Sequence, residues 1–363
     1  MKVLLVADEF FSWGVYGGFG AFTRKLAGEL VERGVTVEAI VHRISDKQKL
    51  VGECEFIDGV KVTTLPRSKL AKWRKTDLYK TDADIIHSQC GMYDTYIAFK
   101  VNPHKKQVVT VQDFRTKKDL KTIGVTEKKS LPRQISATII KHLYKNALHD
   151  ADVVACQAHL LKPKLRENFG LKRELKYLPN FVDLPQENIQ KSDEPTVVWL
   201  GRLDPIKRPG LCFETARKTP NVQFYVLGKS HDPSINIALK HQYRKLGNIH
   251  FMGFQTGTAK HEILSKSWVL INTSVYECLP VSFLEAMSHK CALLSTQNPD
   301  NYTALFGEWA YPNTNSLKDA LIRLLEKNQW KRLGQKGFEH IKNVHSTDKG
   351  VEAHMKLYRE LLD

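Results

Sequence analysis

Short apolar runs alternate with amphipathic stretches along this chain, and the alternation runs through twice. Val3–Ala7 is unbroken apolar sequence, the pattern of a parallel strand buried on both faces. Phe22–Arg33 repeats its apolar residues at helical spacing and predicts an amphipathic helix. Val35–Val41, Asp84–Ser88 and Gln107–Val111 predict further strands, Ile135–Leu148 a helix, and Val153–Gln157 a return to strand. That rhythm argues for a parallel sheet with helices on both faces.

Leu178–Pro185 breaks the pattern with two prolines, and the polar run Gln186–Glu194 follows it. We read this as a hinge. The rhythm restarts with a strand at Thr196–Leu200, Gly201, and a helix near Pro209–Arg217. Val222–Leu227, His250–Gly253 and Val269–Thr273 continue a second sheet, flanked by helices near Lys260–Lys266, Pro280–Ser288, Leu317–Lys327 and Lys331–Asn343. The fold class is therefore α/β, with two Rossmann-like doubly wound parallel-sheet domains spanning 1–183 and 184–345. Ligands of such sheets bind outside the carboxyl ends of the strands, so two facing edges would form an interdomain cleft.

Composition narrows the class. At 363 residues two cores are expected. No apolar run approaches the roughly 18 residues of a membrane span, and the apolar start is too short for a signal-peptide core. The six cysteines have neither C-x-x-C nor zinc spacing and read as reduced core thiols of a cytoplasmic protein. The net charge of +16 is uneven: residues 61–145 hold 19 Lys and Arg against 7 Asp and Glu. A basic field of this kind fits phosphate-rich partners or serves solubility alone. No RNP sequence, zinc finger or basic heptad array accompanies it, so nucleic acid is not the expected partner.

The chemistry gathers in the second half. Glu277 and Glu285 stand eight positions apart across a turn that enters a helix. Carboxylates accept hydrogen bonds from ligand hydroxyls, and the open N–H groups of a helix start favour a diphosphate. Together they suit a nucleotide sugar. Arg202 and Lys207, in a loop after a strand, can converge on one diphosphate. Gly17 and Gly18 follow the first strand, where glycine lets the main chain approach a ligand. In isolation each feature would pass for a turn, a capped loop or a solvated helix face.

Ser274–Met287 resembles the E-x7-E motif of retaining glycosyltransferases of family four, which have the GT-B fold. Val197–Lys207 resembles that family's G-R-L-x-x-x-K element, and Met1–Val6 with Tyr16–Gly20 its amino-terminal glycine loop. The likeness spans nearly the whole chain in the right order. It implies a hexosyltransferase that needs no cofactor beyond a nucleoside-diphosphate sugar of UDP or GDP type, and the lack of a convincing acidic metal cluster in the sequence leads to the expectation that it works without a metal. Arg202 and Lys207 would stabilise the leaving group, Glu285 would hold the ribose and Glu277 the donor sugar. Gly17, Gly18, Gly201 and the loop Cys278, Leu279 and Val281 would line the donor, with Asp113 and Arg115 on the acceptor side. The first domain would receive the acceptor, and a last helix within 346–363 would pack back on it.

Two departures stand out. Cys278 replaces a usual glycine, and Gln112 replaces a histidine that faces the donor sugar; glutamine can hydrogen-bond there but cannot titrate. Gln89 likewise stands where a second histidine is usual, His87 reads as a satisfied buried histidine, and Asp82-Ala83-Asp84 reads as a chance D-x-D. Two alternatives remain: a sugar-nucleotide epimerase of the same fold, which needs no acceptor, and a basic nucleic-acid-binding protein with a vestigial site. The basic clusters Arg67–Lys80 and Arg115–Arg133 mix charges with Trp73, Leu78, Tyr79, Leu120, Ile123 and Leu131. They point to a peripheral enzyme on the inner face of an anionic membrane with a lipid or lipid-linked acceptor, or to a soluble acidic acceptor.

Overall fold

The computed structural model describes residues 1–11, 17–43, 48–89, 91–124, 130–186 and 188–363. Tyr16, Cys90 and residues 125–129 of the second basic cluster lie outside them. The chain divides into two compact units: residues 1–116, 126–180 and 350–363 form the first, and 117–125 and 181–349 the second.

The first unit is built on β1 (Lys2–Ala7), β2 (Thr36–His42), β3 (Cys54–Ile57), β4 (Val60–Leu65), β5 (Ile85–Ser88), β6 (Lys106–Val111), β7 (Val153–Cys156) and β8 (Lys176–Tyr177). Their order in the sheet is β3-β4-β2-β1-β5-β6-β7-β8. All pairs are parallel except β3–β4. β1 lies inside the sheet, Val3 pairing with Val37 on one side and Ile85 on the other. Residues 3 to 7 are buried, because helices cover both faces. The antiparallel exception is a hairpin closed by Asp58-Gly59, both at positive φ (51° and 78°), which matches the twist of paired strands.

Helices begin earlier than their apolar spacing predicts. The first runs Gly18–Glu32 and buries Phe22, Leu26, Ala27 and Leu30; the one predicted at Ile135–Leu148 runs Leu131–Asp150, with proline in its first turn. Helix Thr347–Leu362 contributes residues 350 onward to the first unit. Its Tyr358 hydroxyl lies 2.6 Å from His87 Nδ1 on β5, while Nε2 of the same ring meets Thr110 Oγ1 on β6 at 2.7 Å. His87 is thus a satisfied buried histidine. Asp82 and Asp84 both engage Lys2 at the amino-terminal end of the strands, away from any ligand edge.

The second unit carries β9 (Thr196–Leu200), β10 (Gln223–Leu227), β11 (Ile249–Gly253), β12 (Val269–Asn272), β13 (Ala292–Ser295) and β14 (Gly307–Trp309). The sheet order is β11-β10-β9-β12-β13-β14, all parallel. Its core joins Val197, Trp199, Phe213, Phe224, Ile271 and Leu294 with Leu317 and Leu321 of helix Thr314–Leu325. Of the described cysteines, 156, 212, 278 and 291 are buried; Cys54 is exposed on β3, at the edge of the first sheet, so it is not the core thiol expected of it.

Candidate functional site

The second unit gathers its polar side chains at the carboxyl ends of β9, β10 and β12. The strand Val269–Asn272 is buried throughout, and its sequence turns polar at Asn272-Thr273-Ser274 where the strand ends. Three donors converge there on one carboxylate oxygen. Lys207 Nζ lies 2.6 Å, Ser274 Oγ 2.6 Å and Asn272 Nδ2 3.1 Å from Glu277 Oε1. The Glu277 side chain is only 9% exposed. A buried carboxylate with one oxygen triply bonded is fixed in direction, and Oε2 is the oxygen that can accept from a ligand.

The loop after β9 is laced to the same strand end. Val275 N–H donates to the Ile206 carbonyl at 2.8 Å, and the Thr273 hydroxyl donates to the carbonyls of Lys207 and Arg208. Asp204 orders the loop from within. Its Oδ1 accepts the Lys207 N–H at 3.2 Å, and its Oδ2 pairs with Arg202 Nη2 at 3.2 Å. Arg202 is half exposed and also lies 3.3 Å from His231 Nε2. Gly201 follows β9 and lies against Gly228, whose φ is 143°; a Cβ on Gly228 would fall 1.7 Å from the Gly201 carbonyl oxygen, so the approach requires glycine.

Helix Val281–Ser288 starts at Pro280 with no side-chain cap, so its first-turn N–H groups are not taken by a capping side chain. Cys278 and Leu279 are buried just before it, with the Cys278 thiol 3.5 Å from the Tyr276 hydroxyl. Glu285, within the helix, pairs with Lys260 Nζ at 2.6 Å. The two glutamates therefore hold separate cations, Lys207 and Lys260. The Arg202 guanidinium pairs with Asp204, which takes only the backbone N–H of Lys207, so the two cationic heads do not share an acid.

The remaining candidates belong to the first unit. Gly17 precedes the helix that Gly18 begins, and its N–H donates to Glu9. Gln112 follows β6 and is buried; its Oε1 accepts from Asn180 at 3.1 Å, while its Nε2 has no partner among the described residues. Gln89, after β5, also has an unmatched buried Nε2. Asp113 and Arg115 pair with one another at 2.9 Å.

Residues that the sequence did not single out include Arg208, whose guanidinium binds the carbonyls of Thr273 and Ser274 and the Thr296 hydroxyl at 2.7–3.0 Å. Burial lowers its pKa from the ordinary arginine value. Asn272, Ser274, Asp204 and Lys260 were also missed; the polar end of an apolar strand was the available signal for the first two.

A second polar cluster lies at the ends of β1 and β2, where Asp8, His42 and Asp94 bring potential ligand atoms within 4.8 Å of one another. Lys72 Nζ stands among them, 2.7 Å from His42 Nε2 and 2.8 Å from Asp94 Oδ2. Burial raises the Asp94 pKa, but His42 and Lys72 outweigh it and bring it down to about 2.

The sequence model described as Glycosyl transferases group 1 matches residues 182–340, and that described as Glycosyltransferase Family 4 matches residues 16–186. The chain belongs to glycosyltransferase family four. Both models describe glycosyltransferases. The family-four chain is 21% identical over 312 residues to one component of the human phosphatidylinositol N-acetylglucosaminyltransferase, covering 82% of this chain and 62% of that protein's length. Sucrose-phosphate synthase of Thermosynechococcus elongatus superposes with a TM-score of 0.77 at 17% identity, covering 99% of both chains. HepE of Anabaena, solved with UDP and with UDP-glucose, superposes at 0.75 in the UDP complex, with 13% identity, 99% of this chain and all of that one covered. These likenesses give the family-four chain the GT-B fold. Among its described residues no helix is long and apolar enough to cross a membrane.

Proposed function

We propose that this protein moves a sugar from a nucleoside-diphosphate donor, of UDP or GDP type, to an acceptor hydroxyl, with retention and without a divalent metal. The Glu277 carboxylate carries the reading. Lys207, Asn272 and Ser274 saturate one of its oxygens and orient the other toward donor-sugar hydroxyls. The acceptor oxygen bonds to the anomeric carbon on the face from which the phosphate departs. The bond to phosphate breaks with its electron pair going to the diphosphate, and the hydroxyl proton passes to a phosphate oxygen. Charge grows on the leaving group, where Arg202, Lys207 and the N–H groups opening helix Val281–Ser288 offset it.

Glu285 takes the ribose hydroxyls, releasing Lys260 in part. Gly201 and the stretch from Cys278 to Val281 line the donor, and in the first unit Gly17 and Gly18 present main chain for ligand contact. Gln112 serves the donor sugar in place of a titrating histidine. Its unmatched buried Nε2 supports this, because such a donor costs about 1–3 kcal/mol unless a ligand accepts from it. HepE's complexes with UDP and UDP-glucose support a nucleotide-sugar donor.

The first unit takes the acceptor, with Asp113 and Arg115 beside it. Its basic excess and the phosphatidylinositol of the human relative's activity support a lipid or lipid-linked acceptor at the inner face of a membrane. A soluble acidic acceptor is the second reading, favoured by the same charge. A thermal-shift panel of UDP, GDP and ADP sugars identifies the donor. With that donor, Arg202→Ala and Lys207→Ala should depress kcat, while Glu285→Ala should weaken nucleotide binding. Two alanine variants with unchanged kcat would remove the leaving-group assignment, and activity lost in EDTA and restored by magnesium would remove metal independence.

A further inference from the structure

Two helices of the first unit share an unusual outer face. Helix Lys69–Arg74 and helix Leu131–Asp150 are joined by a 3.0 Å bond from Lys69 Nζ to Ser136 Oγ, and both border an open groove of about 480 Å³. Leu131, Ile135 and Ile139 recur every four residues and so form one stripe along the longer helix. Leu70 and Trp73 project from the shorter one. All five are 50–69% exposed. Lys100 Nζ lies 5.4 Å from the centroid of the Trp73 ring.

The charge on this face has one sign. Arg67, Lys69, Arg74 and Lys75 are exposed around the shorter helix, and neither 67–76 nor 131–149 contains an acid. An ordinary solvated helix would alternate signs. Lys72 alone turns inward, to Asp94 and His42, and that anchor fixes which side of its short helix points out. Burial of Lys72 and Tyr79 also corrects the expectation that 67–80 is uniformly a surface cluster.

Exposed aliphatic and indole side chains among cations with no acids match the chemistry of an anionic lipid surface. A second copy of the chain would set like charge on like. We propose that this two-helix face docks the protein on an anionic bilayer, with Leu70, Trp73, Leu131, Ile135 and Ile139 entering the headgroup boundary. The choice of a bilayer rests on the lipid-acceptor reading. Helix Lys117–Ile123, which the sequence also favoured, groups with the second unit, includes Asp119 and has no buried residue; it is not part of the face.

Flotation of the full chain with phosphatidylcholine vesicles, with and without phosphatidylglycerol, tests this. Wild type should float only with phosphatidylglycerol present, and added salt should release it. Trp73→Glu combined with Ile135→Glu should lower the bound fraction about tenfold or more, with an unchanged unfolding midpoint. Arg67→Glu with Arg74→Glu should act likewise, and Lys117→Glu with Lys118→Glu should not. Wild type that fails to float at low salt, or face variants that bind as well as wild type, would overturn the proposal. So would a dimer in solution that the face variants dissociate without any vesicle binding. Docking without transfer to any lipid would keep the face and remove the lipid acceptor; transfer to detergent-dispersed lipid without docking would remove the face alone.

Discussion

At the scale of single residues, the Glu277 carboxylate shows how a mobile side chain becomes a fixed one. Glu277→Gln keeps the shape but loses the charge that Lys207, Asn272 and Ser274 address. Charge-assisted bonds of this kind contribute about 1.5–3 kcal/mol, so turnover should fall roughly ten- to hundredfold. Stability should change by less than about 1 kcal/mol, because Lys207 is a quarter exposed and rehydrates. Steady-state kinetics beside urea unfolding separates the two effects. Asp204→Ala should lower kcat although Asp204 touches no reacting atom, since it positions both Arg202 and the Lys207 backbone. Asp204→Asn should restore most of that activity, because an amide oxygen still accepts the Lys207 N–H; equal losses in both variants would show that the charge toward Arg202 matters more. The motif glutamates and the Arg202–Lys207 pair were legible because their spacing is local. Their partners were not, since the contact between Lys207 and Glu277 bridges 70 positions that no periodicity records.

At the scale of elements, the strands that read most clearly were those buried on both faces, such as Val3–Ala7 and Thr196–Leu200. The β3–β4 hairpin was unread, although Asp58-Gly59 between alternating flanks is a recognised hairpin signal. Helix Pro233–Tyr243 was unread because Tyr243 is the one residue it buries, which leaves little apolar spacing to detect. The helix at Thr347–Leu362 carries a pH dependence into the fold. Burial lowers His354 to about 4 and, together with His354, lowers His87 well below its usual value; His289 of the second unit is likewise lowered by burial to about 4. All three stay neutral when folded and take up protons on unfolding. The unfolded state therefore binds more protons below about pH 6.5, and stability falls as pH drops from there toward 4, by up to about 1.4 kcal/mol per unit for each histidine. Urea midpoints measured across that window should decline, and His354→Gln should flatten the decline. A constant midpoint between pH 6.5 and 4.5 would contradict this account.

At the scale of the whole molecule, the two sheets were legible because each repeats the same strand–loop–helix grammar around its own core. Allocation of side chains to faces was not legible, as Lys72 illustrates: one lysine among several in a basic run is the one that is buried, and only tertiary contact decides which. The bond between His87 and Tyr358, 271 positions apart, has a consequence for synthesis. A chain emerging from the ribosome presents every strand of the first unit before the helix that fills the pocket beneath β5 exists. The second unit, contiguous apart from one short segment, holds all its strands before that helix appears. Arrested chains ending before Thr347 should therefore protect the second sheet from protease while the first stays cleavable, and extension through Leu362 should protect both. The first unit to be made is the last to be finished.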